Sequence, residues 1–440
     1  METTARPEMV LAIDFSLDRL DVALRGPAPP WIWGHRAYAN NWTGYQQLKQ
    51  DLLAELQRVS PVQFTAVGES TGPYWWHAFY QFSHDAELAP FDPQLALLNP
   101  AHVKGYRKAL AEQDKTDPDD ARLIEHYYRS VGVEHPYQFA DRYLRLRTFS
   151  RAYARVLHTL AAEKAYFVSV LYLWGSEYQR RAVRPFSDLL GVTSQFILDE
   201  YADIQQLSAI PEAELAALLE QHSHHTLRQP QETAQKLHQV AQHSYPLPAP
   251  LGQALHQVLH LTLELLRVLS DNQNAYRQLL EAELALLPEA QRALAFKGLG
   301  PVLVAGCLAE IQDTTRFTTG TKFDRRTQTD RPRTYRDGQA AVAKLAGLWW
   351  PKQDSGHAQG IQPHLARERN PYLRFWLVQA AYTLQRYQPE YQQFYWQKYR
   401  EAHDHHHRRA LILTARKATR LIFALLHKGR LACLEEGTLT

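Results

Sequence analysis

The sequence predicts a mixed α/β domain at the N-terminus, two long helices in the middle, and a mostly helical C-terminal domain. Before residue 100, short apolar runs alternate with stretches of helical spacing. Two long stretches of helical period follow, over 141–181 and 251–287. Helical segments broken by turns fill the last third. We therefore expect three domains, at residues 1–140, 141–287 and 288–440.

Length and composition set the broad class of protein. A chain of 440 residues can build two or three domains, each with its own core. Its two cysteines, Cys307 and Cys433, exclude a disulfide framework and a cysteine-rich zinc site. No segment has the apolar length of a membrane span, and the N-terminus lacks a signal-peptide core. We expect a cytoplasmic protein of a prokaryotic cell, without a membrane partner.

The net charge of +3 hides strong local differences. Residues 142–155 hold five arginines and no acid, and basic stretches also cover 316–336 and 403–430. The segment 185–227 holds seven acids and neither lysine nor arginine. Selected basic surfaces fit a protein that binds polyanions, although any single basic run is equally explained as a solvated helix face.

The N-terminal elements alternate in a definite order. Apolar runs predict strands at 10–14, 20–24 and 31–37, a helix at 44–59, a strand at 64–67, a helix at 74–82 and a strand at 95–98. A helix starting near Asp117 completes the series. The order βββαβαβα is that of the RNase H-like fold, a mixed sheet covered by helices.

Four acids occupy special places in this series. Asp14 and Glu69 each end an apolar run, and Asp117 and Asp120 lie three residues apart at the predicted helix start. Carboxylates at two strand ends and on one helical turn can converge, and such a cluster favours a divalent cation that neutralises it. The simpler explanation of Asp117 and Asp120 is helix capping around Pro118, which the two strand-end acids make less attractive.

The middle and the end of the chain are less specific. Helices 141–181 and 251–287 predict an antiparallel hairpin or a dimerising arm, with a small acidic helical subdomain at 185–246 between them. Gly298 and Gly300 suggest a helix-hairpin-helix-like turn that presents backbone N–H groups to a phosphate, or an ordinary turn. The polar stretch 314–339 predicts a loop or hairpin, and a turn at 351–356 exposes Ser355.

Together these residues resemble the IS110/IS1111-type (DEDD) insertion-sequence transposases. The N-terminal part carries the run from Asp14 to Ala23, Gly68-Glu-Ser-Thr-Gly-Pro-Tyr74 and Lys115-Thr-Asp-Pro-Asp-Asp-Ala121. The C-terminal part carries Gly298-Leu-Gly-Pro-Val302, Leu345-Ala-Gly-Leu348, Asp354-Ser-Gly356 and Arg369-Asn-Pro-Tyr-Leu-Arg374. Each motif is weak alone, but two blocks in the right order make the match specific.

The resemblance implies a RuvC-like nuclease domain, a helical dimerising region and a C-terminal transposase domain. It implies that Asp14, Glu69, Asp117 and Asp120 hold Mg²⁺, with Mn²⁺ as a substitute, and that Ser355 forms a covalent link to DNA. The implied partners are double-stranded target and donor DNA, a structured guide (bridge) RNA, and further copies of the chain, as a dimer or, during strand exchange, a tetramer. Such a protein would be associated with the nucleoid.

Basic and glycine residues near these motifs are candidates for nucleic-acid contact. They are Lys108, Lys115, Arg142, Arg145, Gly298, Gly300, Arg325, Arg326, Arg369 and Arg374. If they contact phosphates, affinity for nucleic acid should fall steeply with salt.

Three other functions remain open on the sequence alone. A RuvC-like junction resolvase would keep the four acids and leave Ser355 incidental. A sugar-kinase-like or actin-like ATPase opens with a similar strand, acid and hairpin, but needs glycine-rich phosphate loops, and none follows Glu69 or Asp117. A nucleic-acid-binding protein without catalysis would not need the complete set of acids.

Overall fold

The computed structural model describes residues 7–110, 117–133, 136–324, 326–350, 365 and 369–436; for Asp117 and Pro118 it describes the backbone alone. The chain divides into two compact units, 1–140 and 141–440. The first is a mixed α/β unit and the second is mostly helical, as the sequence predicts.

A five-stranded sheet forms the centre of the first unit. Its strands are β1 (Glu8–Phe15), β2 (Arg19–Arg25), β3 (Trp31–Ala39), β4 (Gln63–Glu69) and β5 (Gln94–Leu98). They lie in the order β3-β2-β1-β4-β5. β1, β2 and β3 pair as antiparallel neighbours, whereas β4 pairs parallel to both β1 and β5. β1 and β4 therefore end at the same edge of the sheet.

Helices cover both faces of this sheet: α1 (Trp42–Val59), α2 (Trp76–His84), α3 (Pro100–Ala109) and α4 (Asp117–Val131). Alternate residues of the strands enter two separate cores, because successive side chains point to opposite faces. One core joins Leu11 and Ile13 to residues of α1 and α2 such as Leu48 and Phe79. The other joins Val10, Ala12 and Val67 to α3 and α4 through Val103, Leu123 and Ile124.

Two long helices pair in the second unit, α5 (Asp141–Trp174) and the helix at Ala249–Ala285, which is α9. Between them lie α6 (Val192–Glu200), α7 (Glu212–His222) and α8 (Pro230–His243). The contacts Arg145–Glu283 and Tyr153–Gln273 show that α5 and α9 run antiparallel. The helix predicted to reach residue 181 ends at Trp174, because Gly175 begins a turn in which Tyr178 N–H donates to the Gly175 carbonyl.

The remaining elements are α10 (Gln291–Leu294), α11 (Pro301–Ile311), β6 (Thr321–Asp324), β7 (Thr329–Pro332), α12 (Tyr335–Leu345), α13 (Pro371–Tyr387), α14 (Pro389–Arg400) and α15 (His406–Glu435). β6 and β7 form an antiparallel hairpin. The prediction of a loop or hairpin over 314–339 is wrong for its last residues. α12 begins at Tyr335, because Thr334 and Asp337 form a capping box.

Close packing fixes the centre of the second unit. A methyl group at Gly306 of α11 would lie 2.2 Å from the Trp376 ring of α13, so only glycine lets these helices approach. Glu310, at the end of the same helix, is buried and accepts hydrogen bonds from Arg151 of α5 and Asn370. A buried carboxylate needs such partners.

Candidate active site

The register of β1 and β4 sets Asp14 beside Glu69. Ile13 pairs with Gly68, and Asp14 and Glu69 are the next residue on each strand. Val10 and Ala12 of β1 and Val67 of β4 point into the core beneath α4. Asp14 and Glu69 each lie two residues after one of these positions, so both side chains are on the α4 side of the sheet. Each is half-buried.

α4 adds Asp120 on the same side. Leu123 and Ile124 of α4 pack into the core beneath this face, and Asp120 precedes them by about one helical turn. The Asp120 side chain is buried, with 8% of the residue exposed. Asp117 is on the same helix one turn earlier, and its side chain lies outside the described part of the structure.

The electrostatics show that these carboxylates interact. Burial raises the pKa of Glu69, and the negative charges of Asp14 and Asp120 raise it further. A hydrogen bond from the Thr71 hydroxyl, 3.4 Å from Glu69 Oε2, and the charge of Arg107 act in the opposite direction. Three predicted site residues are thus brought together by β1, β4 and α4.

Arg107 supplies a positive charge within this cluster. It lies on α3 and forms an ion pair with Asp120 through Nη2 and Oδ1. Its basic neighbour Lys108 is exposed. The structure thus places the Arg107 guanidinium against a site carboxylate.

Asp21 is a residue that the sequence analysis did not single out. It pairs with Asp14 across β1 and β2, and directly opposed residues of an antiparallel pair share a face. Asp21 is 3% exposed and accepts hydrogen bonds from Arg19 Nε and His35 Nε2, both at 2.8 Å. The signal for it was available, because predicted strands at 10–14 and 20–24 joined by a short turn oppose these two acids.

The residues present suit a hard divalent cation. Asp14, Glu69 and Asp120 offer carboxylate oxygens, the ligands that Mg²⁺ and Mn²⁺ prefer. The raised pKa of Glu69 reflects burial and neighbouring negative charge, and a cation would offset that charge. Within the described residues, no three His, Cys, Asp or Glu side chains already stand in ligating arrangement. Arg107 forms an ion pair with Asp120, and the fourth acid, Asp117, is described by its backbone alone.

Several predicted nucleic-acid contacts are held by partners within the second unit. Arg142 forms a double hydrogen bond with the buried Glu289, and Arg145 pairs with Glu283 at 2.6 Å. Arg374 donates from Nε to the Ala346 carbonyl at 2.9 Å. Arg142 and Arg374 are thus engaged within the unit, whereas the Arg145 side chain is 72% exposed beside its ion pair.

The other candidates divide into three groups. Arg326 and Arg369 are exposed. Gly298 adopts a φ of +100°, a conformation that favours glycine, and Gly300 precedes α11 directly as its N-cap. Ser355, Lys115 and Arg325 lie outside the described residues.

Comparison with known families identifies the first part of the chain. Residues 11–173 match the family model of DEDD transposases of the IS110 type, described as Transposase. The match supports an IS110-family transposase and confirms the resemblance drawn from the N-terminal motifs; it ends before the C-terminal ones. It includes Asp14, Glu69, Asp117 and Asp120. No curated protein matches the chain significantly. No helix within the described residues is long and apolar enough to cross a membrane.

Proposed function

We propose that this IS110-family transposase cleaves and exchanges DNA strands at a divalent-metal site built from Asp14, Glu69, Asp117 and Asp120. The observation that carries the proposal is that Asp14, Glu69 and Asp120 lie on the same side of the sheet. Burial there raises the pKa of Glu69, and the charges of Asp14 and Asp120 raise it further. The family match implies DNA as the polymer that is processed.

The strand order supports an RNase H-like fold for residues 1–140. In that fold three antiparallel strands precede two strands parallel to the first, as β1 to β5 do here. We retain residues 141–287 as a helical dimerisation region and 288–440 as the transposase domain. The two glycines before α11 are compatible with a helix-hairpin-helix-like turn.

The site residues divide the chemistry between them. The four acids would hold Mg²⁺ or Mn²⁺, which when bound supplies charge relief at the scissile phosphate. Asp21 stabilises the end of β2 beside Asp14 through Arg19 and His35. Arg107 offsets negative charge beside Asp120 before nucleic acid and cation bind.

We assign Ser355 as the nucleophile. Its Oγ forms a bond to phosphorus, the bond from phosphorus to one strand oxygen breaks, and the proton lost by Ser355 is taken up by that leaving oxygen. Attack by the hydroxyl of a second strand reverses these steps and releases the serine. One phosphodiester is exchanged for another, so no ATP is required.

Partner choice follows from the family and from exposed surfaces. We propose that a guide RNA selects double-stranded target and donor DNA, as the resemblance implies. Self-association is supported by an apolar stripe on α9: Leu261, Leu265 and Val268 are 64%, 43% and 56% exposed. Their spacing of four and three residues places them on one helix face. Exposed apolar stripes of this kind commonly pair with a partner helix.

A covalent-trapping assay tests the function. Protein, Mg²⁺, the RNA encoded beside the element, and labelled target and donor duplexes are mixed, denatured and separated on a gel. We expect a Mg²⁺-dependent protein–DNA adduct that Ser355→Ala abolishes and that Ser208→Ala, which removes an exposed hydroxyl elsewhere, does not. Cleavage without an adduct would instead identify a junction-resolvase-type nuclease.

A further inference from the structure

A cavity lies at the end of the sheet where β1 and β4 finish. It has a volume of about 460 Å³ and is lined by residues of the turn after β1, the start of α1, and the loop after β4. Leu17 follows Asp14 by three residues, and Tyr74 follows Glu69 by five. α1 and α2 flank the cavity. They pack on one face of the sheet, and α4 packs on the opposite face.

The residues that line the cavity suit an aromatic, uncharged ligand. Trp42 is 61% exposed and Tyr74 is 38% exposed, so both rings are accessible. Amide side chains are present at Asn40, Asn41 and Gln81, and an imidazole at His77. Among the lining residues that the structure describes, none is Asp, Glu, Lys or Arg. Such a lining can stack on a flat ring and hydrogen-bond its edge, but it lacks the cations that a phosphate requires.

Hydrogen bonds and ring stacking hold the walls of the cavity in place. The Asn40 amide donates to the Ser16 carbonyl at 2.8 Å and to the Tyr74 carbonyl at 3.2 Å, which ties the turn after Asp14 to the loop after Glu69. Trp42 stacks on Tyr45, with ring centroids 5.6 Å apart and planes inclined by 20°. Tyr45 is buried and its hydroxyl donates to Asp85. The exposed indole is therefore backed by a fixed ring.

From these contacts we infer that the cavity binds one unpaired nucleobase of the DNA strand whose backbone reaches the acidic site. The inference rests on the proposed function, because it takes the polymer and the scissile phosphate from there. A strand crossing this edge of the sheet would present a phosphate to Asp14 and Glu69 and a neighbouring base to Trp42 and Tyr74. Stacking on an aromatic side chain tolerates any base, because every base has a flat aromatic face.

Binding without cleavage provides the test. The affinity of the full chain for a labelled single-stranded DNA is measured in EDTA, with a set of strands that each carry one abasic position. We expect one position at which base loss weakens binding about tenfold. Trp42→Ala should weaken binding of the intact strand by a similar factor and remove the effect of the abasic position. Trp396→Ala, which removes an exposed indole of the second unit, should leave both unchanged.

Photocrosslinking gives a second readout that does not depend on affinity. Strands with 5-iododeoxyuridine at the sensitive position should crosslink to the peptide that holds Trp42 or to the one that holds Tyr74. Crosslinks confined to other peptides, equal affinity at every abasic position, or tighter Trp42-dependent binding of RNA than of DNA would overturn the inference. Loss of cleavage in wild-type protein with these results intact would instead overturn the proposed nuclease.

Discussion

Arg107 of α3 and Asp120 of α4 form an ion pair beside Glu69, on the same side of the sheet as Asp14. The guanidinium therefore occupies a position where a divalent cation would find one of its carboxylate ligands. A cation and Arg107 compete for the charge of Asp120, since one carboxylate oxygen cannot serve both fully. This competition between Arg107 and a cation is the basis of the first prediction.

Arg107→Gln should lower the dissociation constant for Mn²⁺ about tenfold, because a hydrogen bond between charged groups contributes roughly 1.5 kcal/mol. Calorimetric titration of the nucleic-acid-free protein with Mn²⁺ measures this dissociation constant. Arg58→Gln, which removes an exposed arginine paired with Glu55 on α1, is the control. Unchanged or weaker Mn²⁺ binding in Arg107→Gln would show that Arg107 supports the site rather than competing with the cation.

Asp14→Asn should abolish strand cleavage and leave affinity for nucleic acid within about twofold, because it removes a metal ligand and keeps the shape of the side chain. Cleavage of labelled duplex in Mg²⁺ and binding in EDTA are measured on the same preparation. Asp18→Asn, an exposed acid in the turn of the same hairpin, should retain both properties. Wild-type cleavage by Asp14→Asn would refute the assignment of the site.

The positions of Asp14 and Glu69 could be predicted because strand ends leave a local pattern, an apolar run followed by an acid. Asp21 escaped notice although the same pattern opposes it to Asp14, since its role depends on pairing between strands rather than on its own neighbours. The role of Arg107 could not be predicted from its neighbours in the sequence, because its partner depends on how α3 packs against α4.

The basic run 142–155 shows a limit of another kind. Arg142 and Arg151 pair with Glu289 and Glu310, which lie 147 and 159 residues later in the chain. A free cationic helix face and one neutralised by distant acids have the same local sequence. Only the packing of α5 against the C-terminal helices distinguishes them, and packing of distant segments leaves no local signal.

Glu310→Gln should destabilise the second unit by about 1–3 kcal/mol, because it leaves the partly exposed Arg151 without its anion. Burial alone would raise the pKa of Glu310, but hydrogen bonds and charge from Arg151, the charge of Arg147 and a hydrogen bond from Asn370 outweigh it and hold the pKa below 4.5. The stabilisation is therefore present above pH 4.5 and is lost as the pH falls through the lowered pKa.

Urea unfolding at pH 7 and at several pH values below 4.5 measures this effect. The difference between wild-type protein and Glu310→Gln should shrink as the pH falls. Glu264→Gln, which changes an acid on α9 with an exposed side chain, should unfold like the wild type at every pH. A constant difference between Glu310→Gln and wild type across the pH range would mean that Glu310 acts through packing rather than charge.

The exposed stripe on α9 makes the last prediction. Replacing Leu261 and Leu265 together by lysine places two charges on a face that is apolar and solvent-exposed in the isolated chain. Folding should be unaffected because neither side chain is in the core, whereas burying the pair of lysines in a dimer would cost several kcal/mol. We therefore expect the wild type to self-associate at micromolar concentration and the double variant to sediment as a monomer with an unchanged circular dichroism spectrum. Leu279→Lys is the control, because Leu279 is exposed on the same helix about three turns beyond Val268. It adds charge to the helix outside the stripe and should leave self-association unchanged. Equal self-association of wild type and the double variant would place the dimer contact elsewhere on the chain.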